Sequence, residues 1–308
     1  MKKIKVSAPA TVANVCCGFD ILGFSVDAPG DEVILTLTGK DVVMKSITGD
    51  GGRLPMESNK NTASVAVQSY LNAIGESAGV EIELIKNLPL GSGMGSSAAS
   101  AVAALVAINA FFGDRLTRQE LIPHAMEAER IACGAAHADN VAPSLLGGFV
   151  LVRGYHPLDV VRVPLTAKLF CTLVHPHLEL KTEDSRRVLK PTISLKDAIT
   201  QNGNTAGLMV GLMSSDYDLI SRSLHDVIAE PVRSVFIPGF DKIRAEVKQH
   251  GALGCGISGS GPTLFALSKD KETATQAGQL IEKHFLSAGL KSESYVSEIN
   301  LQGAKIVG

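Results

Sequence analysis

A chain of 308 residues carries about two domains' worth of sequence, at roughly 100–200 residues per domain. Its 45% hydrophobic and 19% charged composition excludes a disordered chain, and a net charge of −2 excludes nonspecific nucleic-acid binding driven by net charge, though not a local basic pocket. No apolar run reaches the roughly 18–20 residues of a membrane span, and the N-terminal segment lacks the long apolar core and cleavage site of a signal peptide.

The five cysteines (Cys16, Cys17, Cys133, Cys171 and Cys255) include one vicinal pair and no CxxC spacing. They read as reduced thiols, buried or lining pockets, in a soluble cytoplasmic protein without a disulfide frame or zinc site.

In chain order, Lys3–Val6 reads as a strand running into an extended Ala-Pro-Ala-Thr. Further strands are expected at Val33–Thr38 and at Val80–Lys86, where apolar and charged residues alternate. Asn61–Ile74 reads as an amphipathic helix. Ala98–Phe112 has only Ser100 and Asn109 as polar residues, so it is expected to be a helix with no solvent face. A capping box at Thr117 and Glu120 starts a helix to about Cys133. The polar stretch Gly134–Gly148 reads as loop. In the second half, Lys168–Val174, Pro262–Leu267 and Tyr295–Val307 are strand candidates, with helices at Leu195–Leu212, Tyr217–Ile228, Asp241–Gln249 and Glu272–Ala288. Helices and strands mix without regular βαβ spacing, which favours an α+β fold. Two domains are expected, 1–155 and 156–308.

The strongest local signal is the run Pro89, Leu90, Gly91, Ser92, Gly93, Met94, Gly95, Ser96, Ser97, Ala98 and Ala99, leading into the apolar helix. Glycines on alternate positions let backbone approach a ligand closely, and N–H groups at a helix start favour an anion such as phosphate. Ser96 and Ser97 add hydroxyls, one of which can reach a magnesium ion. The run lacks the lysine of the P-loop pattern, and a plain Gly-Ser turn before a core helix stays open as an alternative. Gly254–Gly259 matches GxGxxG, but the expected order is helix before and strand after, the inverse of a dinucleotide fingerprint. The run Gly256–Gly261 reads instead as a glycine-rich turn that allows close backbone approach.

Glu129 falls on the same helical face as Leu121, Ile122, Ala125, Ala132 and Cys133. A carboxylate facing a core needs a cation, either a metal or a basic side chain. Asn14 and Asp20 lie in a turn-rich apolar stretch where such residues also serve as caps. His137, Asp139 and Asn140 sit close together in His-Ala-Asp-Asn, which can be a self-satisfying loop. Arg186 and Arg233 are solvated arginines or bidentate partners for carboxylate or phosphate.

Together these residues resemble the GHMP kinases, the group named for galacto-, homoserine, mevalonate and phosphomevalonate kinases. Pro89–Ala99 is similar to their phosphate loop and Gly254–Pro262 to their third glycine motif. Ala8–Asp20, His137–Pro143, Thr182–Arg186 and Glu230–Arg233 are most similar to the homoserine-phosphorylating branch. The similarity runs in order from residue 6 to about 265. Small departures are Met94 in place of the more usual Leu, and Val15-Cys16-Cys17 where Leu-Gly and a variable residue are common.

The resemblance implies a ribosomal-S5-domain-2-like N-terminal domain and a ferredoxin-like C-terminal domain, with ATP and an acceptor in the cleft between them. It implies that Pro89–Ala99 holds the ATP phosphates, with Ser97 and Glu129 on Mg2+. Asn14, Asp20, His137, Asn140, Arg186 and Arg233 would surround L-homoserine. Of these, Arg186 and Arg233 suit its carboxylate, Asp20 its ammonium and Asn140 its hydroxyl, with Asp139 secondary as a base. A homodimer is what the family suggests, with no nucleic acid or membrane partner. The alternatives are a mevalonate-, shikimate- or sugar-type kinase of the same group, an inactive nucleotide-binding regulator on the same fold, or a structural domain.

Overall fold

The computed structural model describes residues 2–134, 136–180 and 182–308, without the side chains of residues 131–133 and 182. The expectations for the side chains of Ala132, Cys133 and Thr182 therefore lie outside the described residues. The chain opens with β1 (Lys3–Ala13), β2 (Leu22–Thr38), β3 (Val42–Thr48), α1 (Thr62–Ile74) and β4 (Gly79–Ile85). Then follow α2 (Ser96–Phe111), α3 (Ile122–Cys133), α4 (Ala138–Leu146) and the hairpin β5 (Phe149–Tyr155) and β6 (Leu158–Val163). The second half runs β7 (Phe170–Pro176), α5 (Thr182–Arg187), α6 (Leu195–Ser214), α7 (Tyr217–Ser223), α8 (Glu230–Arg233) and α9 (Phe240–Gln249). It ends with β8 (Gly254–Ile257), β9 (Leu264–Ser268), α10 (Lys271–Ser287), β10 (Ser292–Glu298) and β11 (Lys305–Ile306).

Two sheets result. The first has the order β11-β1-β2-β4-β3, with β5 on β2 and β6 on β5; of its pairings, β3 with β4 is parallel and the others are antiparallel. The second is antiparallel in the order β10-β7-β9-β8, with α9 and α10 packed on it. Numbering its strands by sequence gives 4-1-3-2 in a β-α-β-β-α-β connection, the ferredoxin-like arrangement. The expected α+β class holds. The division expected at 155/156 falls in the turn of the β5–β6 hairpin, whose two strands both belong to the first sheet.

Helix α2 has the dry surroundings that its composition demands. It packs against α1, α3, β1 and β2, and Ala98 through Ile108 are buried without interruption. Its polar Asn109 is satisfied: Oδ1 accepts from the Tyr70 hydroxyl (2.9 Å) and the Leu116 N–H (3.1 Å), while Nδ2 donates to the Leu116 carbonyl (2.9 Å).

Four local expectations change. Gly134–Gly148 is not all loop: α4 forms because Ala138, Val141, Ala142 and Leu145 bury one face completely, overriding the Gly, Asp and Pro content. Pro143 inside α4 removes the N–H that would bond the Asp139 carbonyl, and Gly23 lies against that carbonyl where a Cβ would come within 1.9 Å. The Thr117–Glu120 bonds form, yet regular helix begins only at Ile122. The helix expected over Tyr217–Ile228 stops at Ser223, since Asp226 instead accepts the N–H groups of Ile228, Ala229 and Glu230 (2.8, 3.0 and 2.7 Å) and starts α8. The Tyr295–Val307 strand breaks into β10 and β11 at Asn300, whose Oδ1 accepts from Gln302 and Gly303 (both 2.8 Å). Gly254–Ile257 is itself a strand, followed by a turn and another strand; no helix follows, so the rejection of a dinucleotide fingerprint stands.

A buried ion pair joins these layers. Lys86, just past β4, donates to the Asp31 carboxylate of β2, to the Ser96 carbonyl (2.8 Å) and to Ser100 Oγ (3.0 Å) in the first turns of α2. Asp31 Oδ1 also accepts the N–H groups of Asn87 and Leu88, each at 2.9 Å. Breaking such a pair from one side leaves an uncompensated buried charge, at a cost of about 3–5 kcal/mol. Lys86→Met is therefore expected to lose stability on that order in denaturant titration, and adding Asp31→Asn to recover part of it. No recovery in the double variant would show that the two charges are not coupled.

Candidate active site

Between the two sheets lies a cavity of about 410 Å³. Its walls bring together residues remote in sequence: Leu90, Gly91, Ser92, Gly93, Gly95, Ser96 and Ser97 from the glycine run, Asn14 and Asp20 from the turn after β1, Glu129, His137, Asp139 and Asn140, and Arg186 and Arg233 from the second half. Met94, Ala98 and Ala99 are completely buried beneath the run, and Pro89 is half-buried beside it. Leu54, Pro55 and Lys60 to Thr62 line a further stretch of wall.

The glycine run is shaped by both sheets. Gly93 (φ +79°) lies so close to the turn after β8 that a Cβ would meet the Ser258 carbonyl at 2.4 Å; Gly95 (φ +68°) would meet Thr11 Oγ1 at 2.0 Å. Only glycine fits either position without strain. Gly95 begins α2, whose first turn has no side-chain cap and no acidic residue. Its N–H groups, which have no carbonyl to bond within the helix, and the positive end of its dipole favour an anion there.

At the other end, the segment from Asn14 to Asp20 bends sharply, with positive φ at Asn14, Val15, Cys16 and Asp20. It is tied at several points. Asn14 Nδ2 donates to the Gly259 carbonyl (2.7 Å) and its Oδ1 accepts from the Asp20 N–H (3.0 Å). The Cys17 carbonyl accepts from Gln201 Nε2 and Thr205 Oγ1, each at 2.8 Å. The Tyr155 hydroxyl donates to the Asp20 carbonyl (3.1 Å) and accepts from the Ala138 N–H (3.3 Å). Cys16 and Cys17 are buried, and burial raises both thiols, Cys17 to about 12. They are protonated and unreactive at neutral pH.

Asp20 and Arg186, treated separately in the sequence, form a bidentate pair (2.7 and 3.2 Å). His137 Nδ1 is 4.0 Å from the same carboxylate, and burial, with Arg186 adding to it, lowers the ring's affinity for a proton. Arg233 is different: only 3% exposed, it donates to the Ser185 and Gly259 carbonyls (both 3.1 Å) and forms no ion pair among the described residues. Burial, then the charge of Arg186, depress its pKa. A buried guanidinium with only neutral acceptors is a ready receptor for an anion.

Glu129 is 7% exposed on the inner face of α3, as its spacing predicts, and its charge acts on Lys86. Lys86 itself lines the cavity and was missed as a site residue. Its signal was present: the alternation that buries Val80, Ile82 and Leu84 turns residue 86 the same way. Thr11 was missed as well. Its hydroxyl donates to Asn140 Oδ1 (2.7 Å), which leaves the amide nitrogen as the donor on that side chain.

Asp139, on the first turn of α4, is 4% exposed, and its Oδ1 has no hydrogen-bond partner among the described residues. Burial, aided by the charge of Asp20, raises its pKa to about 7. Because the folded value exceeds the unfolded one, the carboxyl weakens the fold progressively as pH rises from about 4 to about 7, and the loss is complete and constant above that. Asp139→Asn is thus expected to match the wild type in stability near pH 4 and to exceed it at pH 8 by a few kcal/mol, roughly. Equal stabilities at pH 8 would show that the carboxyl is better compensated than its surroundings suggest.

The family model described as the GHMP kinases N terminal domain matches residues 61–148, and that of the GHMP kinases C terminal matches residues 208–285. A homoserine kinase of Chlorobium phaeovibrioides is 52% identical, with 100% of each chain covered. The crystal structure of a homoserine kinase from Cytophaga hutchinsonii superposes with a TM-score of 0.97 at 54% identity, covering 100% of this chain and 98% of that one. The mevalonate kinase of Methanococcus jannaschii shares the fold, with a TM-score of 0.70 at 13% identity over 97% of this chain and 99% of its own. With family models, full-length relatives and fold in agreement, the chain belongs to the homoserine kinases of the GHMP kinase family.

Proposed function

We propose that this chain transfers the γ-phosphoryl group of ATP to the side-chain hydroxyl of L-homoserine, giving O-phospho-L-homoserine and ADP. The observation that carries the reading is the polarity of the cavity. One end offers an uncapped helix N-terminus in a glycine cradle, suited to polyphosphate. The other offers buried Arg233 beside the Asp20–Arg186 pair, suited to an amino acid's carboxylate and ammonium. A neutral sugar would leave Arg233 without an anion.

In this reading Gly91–Ser97 cradle the phosphates. Arg233, joined by Arg186, binds the acceptor carboxylate, Asp20 its ammonium, and Asn14 and His137 complete the pocket. Asn140 donates through its amide nitrogen to the hydroxyl oxygen and aims it at the γ-phosphorus. As the new O–P bond forms and the bond from phosphorus to the bridging β–γ oxygen breaks, the hydroxyl proton passes to an oxygen of the transferring phosphoryl group. Asp139, poised near neutrality, is a secondary acceptor for it. Phosphoryl transfer depends chiefly on positioning and electrostatics, so a strong base is not required.

Ser97 and Glu129 fit a magnesium ion. Both line the cavity and carry oxygen donors, and no cluster of three metal-ligating His, Cys, Asp or Glu side chains exists among the described residues. Such a sparse oxygen set suits an ion that takes its remaining ligands from phosphate and water. When bound, magnesium supplies neutralisation of the phosphate charge. No described helix is long and apolar enough to cross a membrane.

ADP release with homoserine, threonine, mevalonate and shikimate as acceptors tests the assignment. Homoserine is expected to exceed each of the others by about 100-fold in kcat/KM, on the order of what one well-placed hydrogen bond to a charged group contributes. Silence with every acceptor would end the reading. Asn140→Ala is expected to lower kcat by roughly 100-fold, as misplacement of a nucleophile does, and Asp139→Asn by less than about tenfold. The reverse order in these two folded variants would exchange their roles.

A further inference from the structure

We propose that Phe19 is a positioning residue for the acceptor's carboxylate, its ring acting as a platform that holds Arg186 and Arg233 toward one anion. This rests on the acceptor assignment above and adds a residue that lies within the Ala8–Asp20 stretch with no role assigned to it there and that is absent from the cavity wall. Phe19 stands outside the set of residues lining the cavity, whereas both arginines are within it. The Arg233 guanidinium carbon lies 5.0 Å from the ring centroid and that of Arg186 lies 5.9 Å from it. Each is within the range of cation–π attraction.

The arrangement answers a specific difficulty. Two guanidinium groups meant for one carboxylate repel each other while the site is empty, and each charge destabilises its neighbour. A second carboxylate beside Arg233 would relieve this, but it would occupy the N–H groups that the ligand needs. An aromatic face attracts a cation through its quadrupole and takes up none of its in-plane donors. Ring and carboxylate are consecutive: Phe19 lies against both arginines, while Asp20 pairs directly with Arg186 and acts on Arg233 only through its charge.

The backbone supports the same assignment. Asn14, Val15, Cys16 and Asp20 have φ of +72°, +45°, +56° and +59°, conformations that are costly for residues other than glycine. Tethers from Gln201, Thr205 and Tyr155 to the carbonyls of Cys17 and Asp20 flank Phe19 and hold this bend. The strain is concentrated where the chain must bring one phenyl ring against two arginines from the opposite sheet's half.

Steady-state kinetics of the full chain, with wild type, Phe19→Leu and Phe19→Tyr, test the proposal. Phe19→Leu is expected to raise KM for homoserine by roughly 3- to 30-fold, the range of partly desolvated cation–π contacts. Its kcat and its KM for ATP should stay within about twofold. Phe19→Tyr, which keeps the ring face, should restore the wild-type KM. With 2-amino-1,4-butanediol, which lacks the carboxylate, wild type and Phe19→Leu should not differ. An unchanged homoserine KM in Phe19→Leu, an equal penalty with the diol, or a Phe19→Tyr as impaired as the leucine variant would each overturn the platform. If Phe19→Leu does not fold, Phe19→Tyr and Phe19→Met, compared by homoserine-induced thermal shift, decide: tyrosine must keep the shift and methionine diminish it. A wild-type chain inactive toward homoserine removes the acceptor assignment itself, whereas an active one with an indifferent Phe19 removes only this inference.

Discussion

The site depends on the contact between two backbone turns. The Gly91–Gly95 run from the first sheet's half and the Ser258–Gly261 turn from the second lie against each other with no side chains between them at Gly93. Ser258 Oγ donates to the Gly93 carbonyl (2.8 Å), Thr263 N–H to the Ser92 carbonyl (3.2 Å) and Gly259 N–H to the Ala13 carbonyl (3.1 Å). From below, Thr11 N–H donates to the Met94 carbonyl (3.0 Å). At Gly93 and Gly95 the approach leaves no room for a Cβ, which explains the glycines at those two positions.

From this contact the two ends of the cavity become mechanically linked. The Gly259 carbonyl, in the turn that grips the glycine run, also accepts from Asn14 and Arg233 at the acceptor end. Glu230, one turn before Arg233, accepts the Ile257 N–H at 2.8 Å and so fixes α8 to the same turn. The proposed phosphate cradle and the proposed carboxylate receptor are therefore built on a shared piece of backbone. In-line transfer needs such a fixed separation between donor and acceptor, since its rate depends on near-attack geometry more than on a reactive side chain.

Charge is placed with the same economy. Among the basic groups of the site, Lys86 is matched by Asp31 and Arg186 by Asp20, while Arg233 donates to carbonyls, lies against a phenyl ring and feels Asp20, Asp226 and Asp139 only at longer range, with no ion pair among the described residues. Among the acidic groups, Asp139 is held close to neutral by burial. The result is a guanidinium without a direct ion-pair partner among the described residues, at the end proposed to receive a carboxylate.

Local pattern alone determined much of this protein. The apolarity of 98–108, broken only by Ser100, required a buried helix, the alternate glycines before it required a close approach, and 3.6-residue periodicity turned Glu129 inward. Each is a property of neighbours in sequence, where periodicity and steric freedom act. Tertiary structure alone decided which groups meet. Asp20 and Arg186 are 166 positions apart, and Asn14 and Gly259 are 245 apart; no local pattern encodes such pairings. Nor did pattern reveal α4, whose apolar face outweighs its turn-forming residues only once β2, β5 and α2 are there to cover it. Burial is a property of the assembled layers, so the perturbed carboxyl of Asp139 and the buried guanidinium of Arg233, bonded only to carbonyls among the described residues, came into view only with the fold.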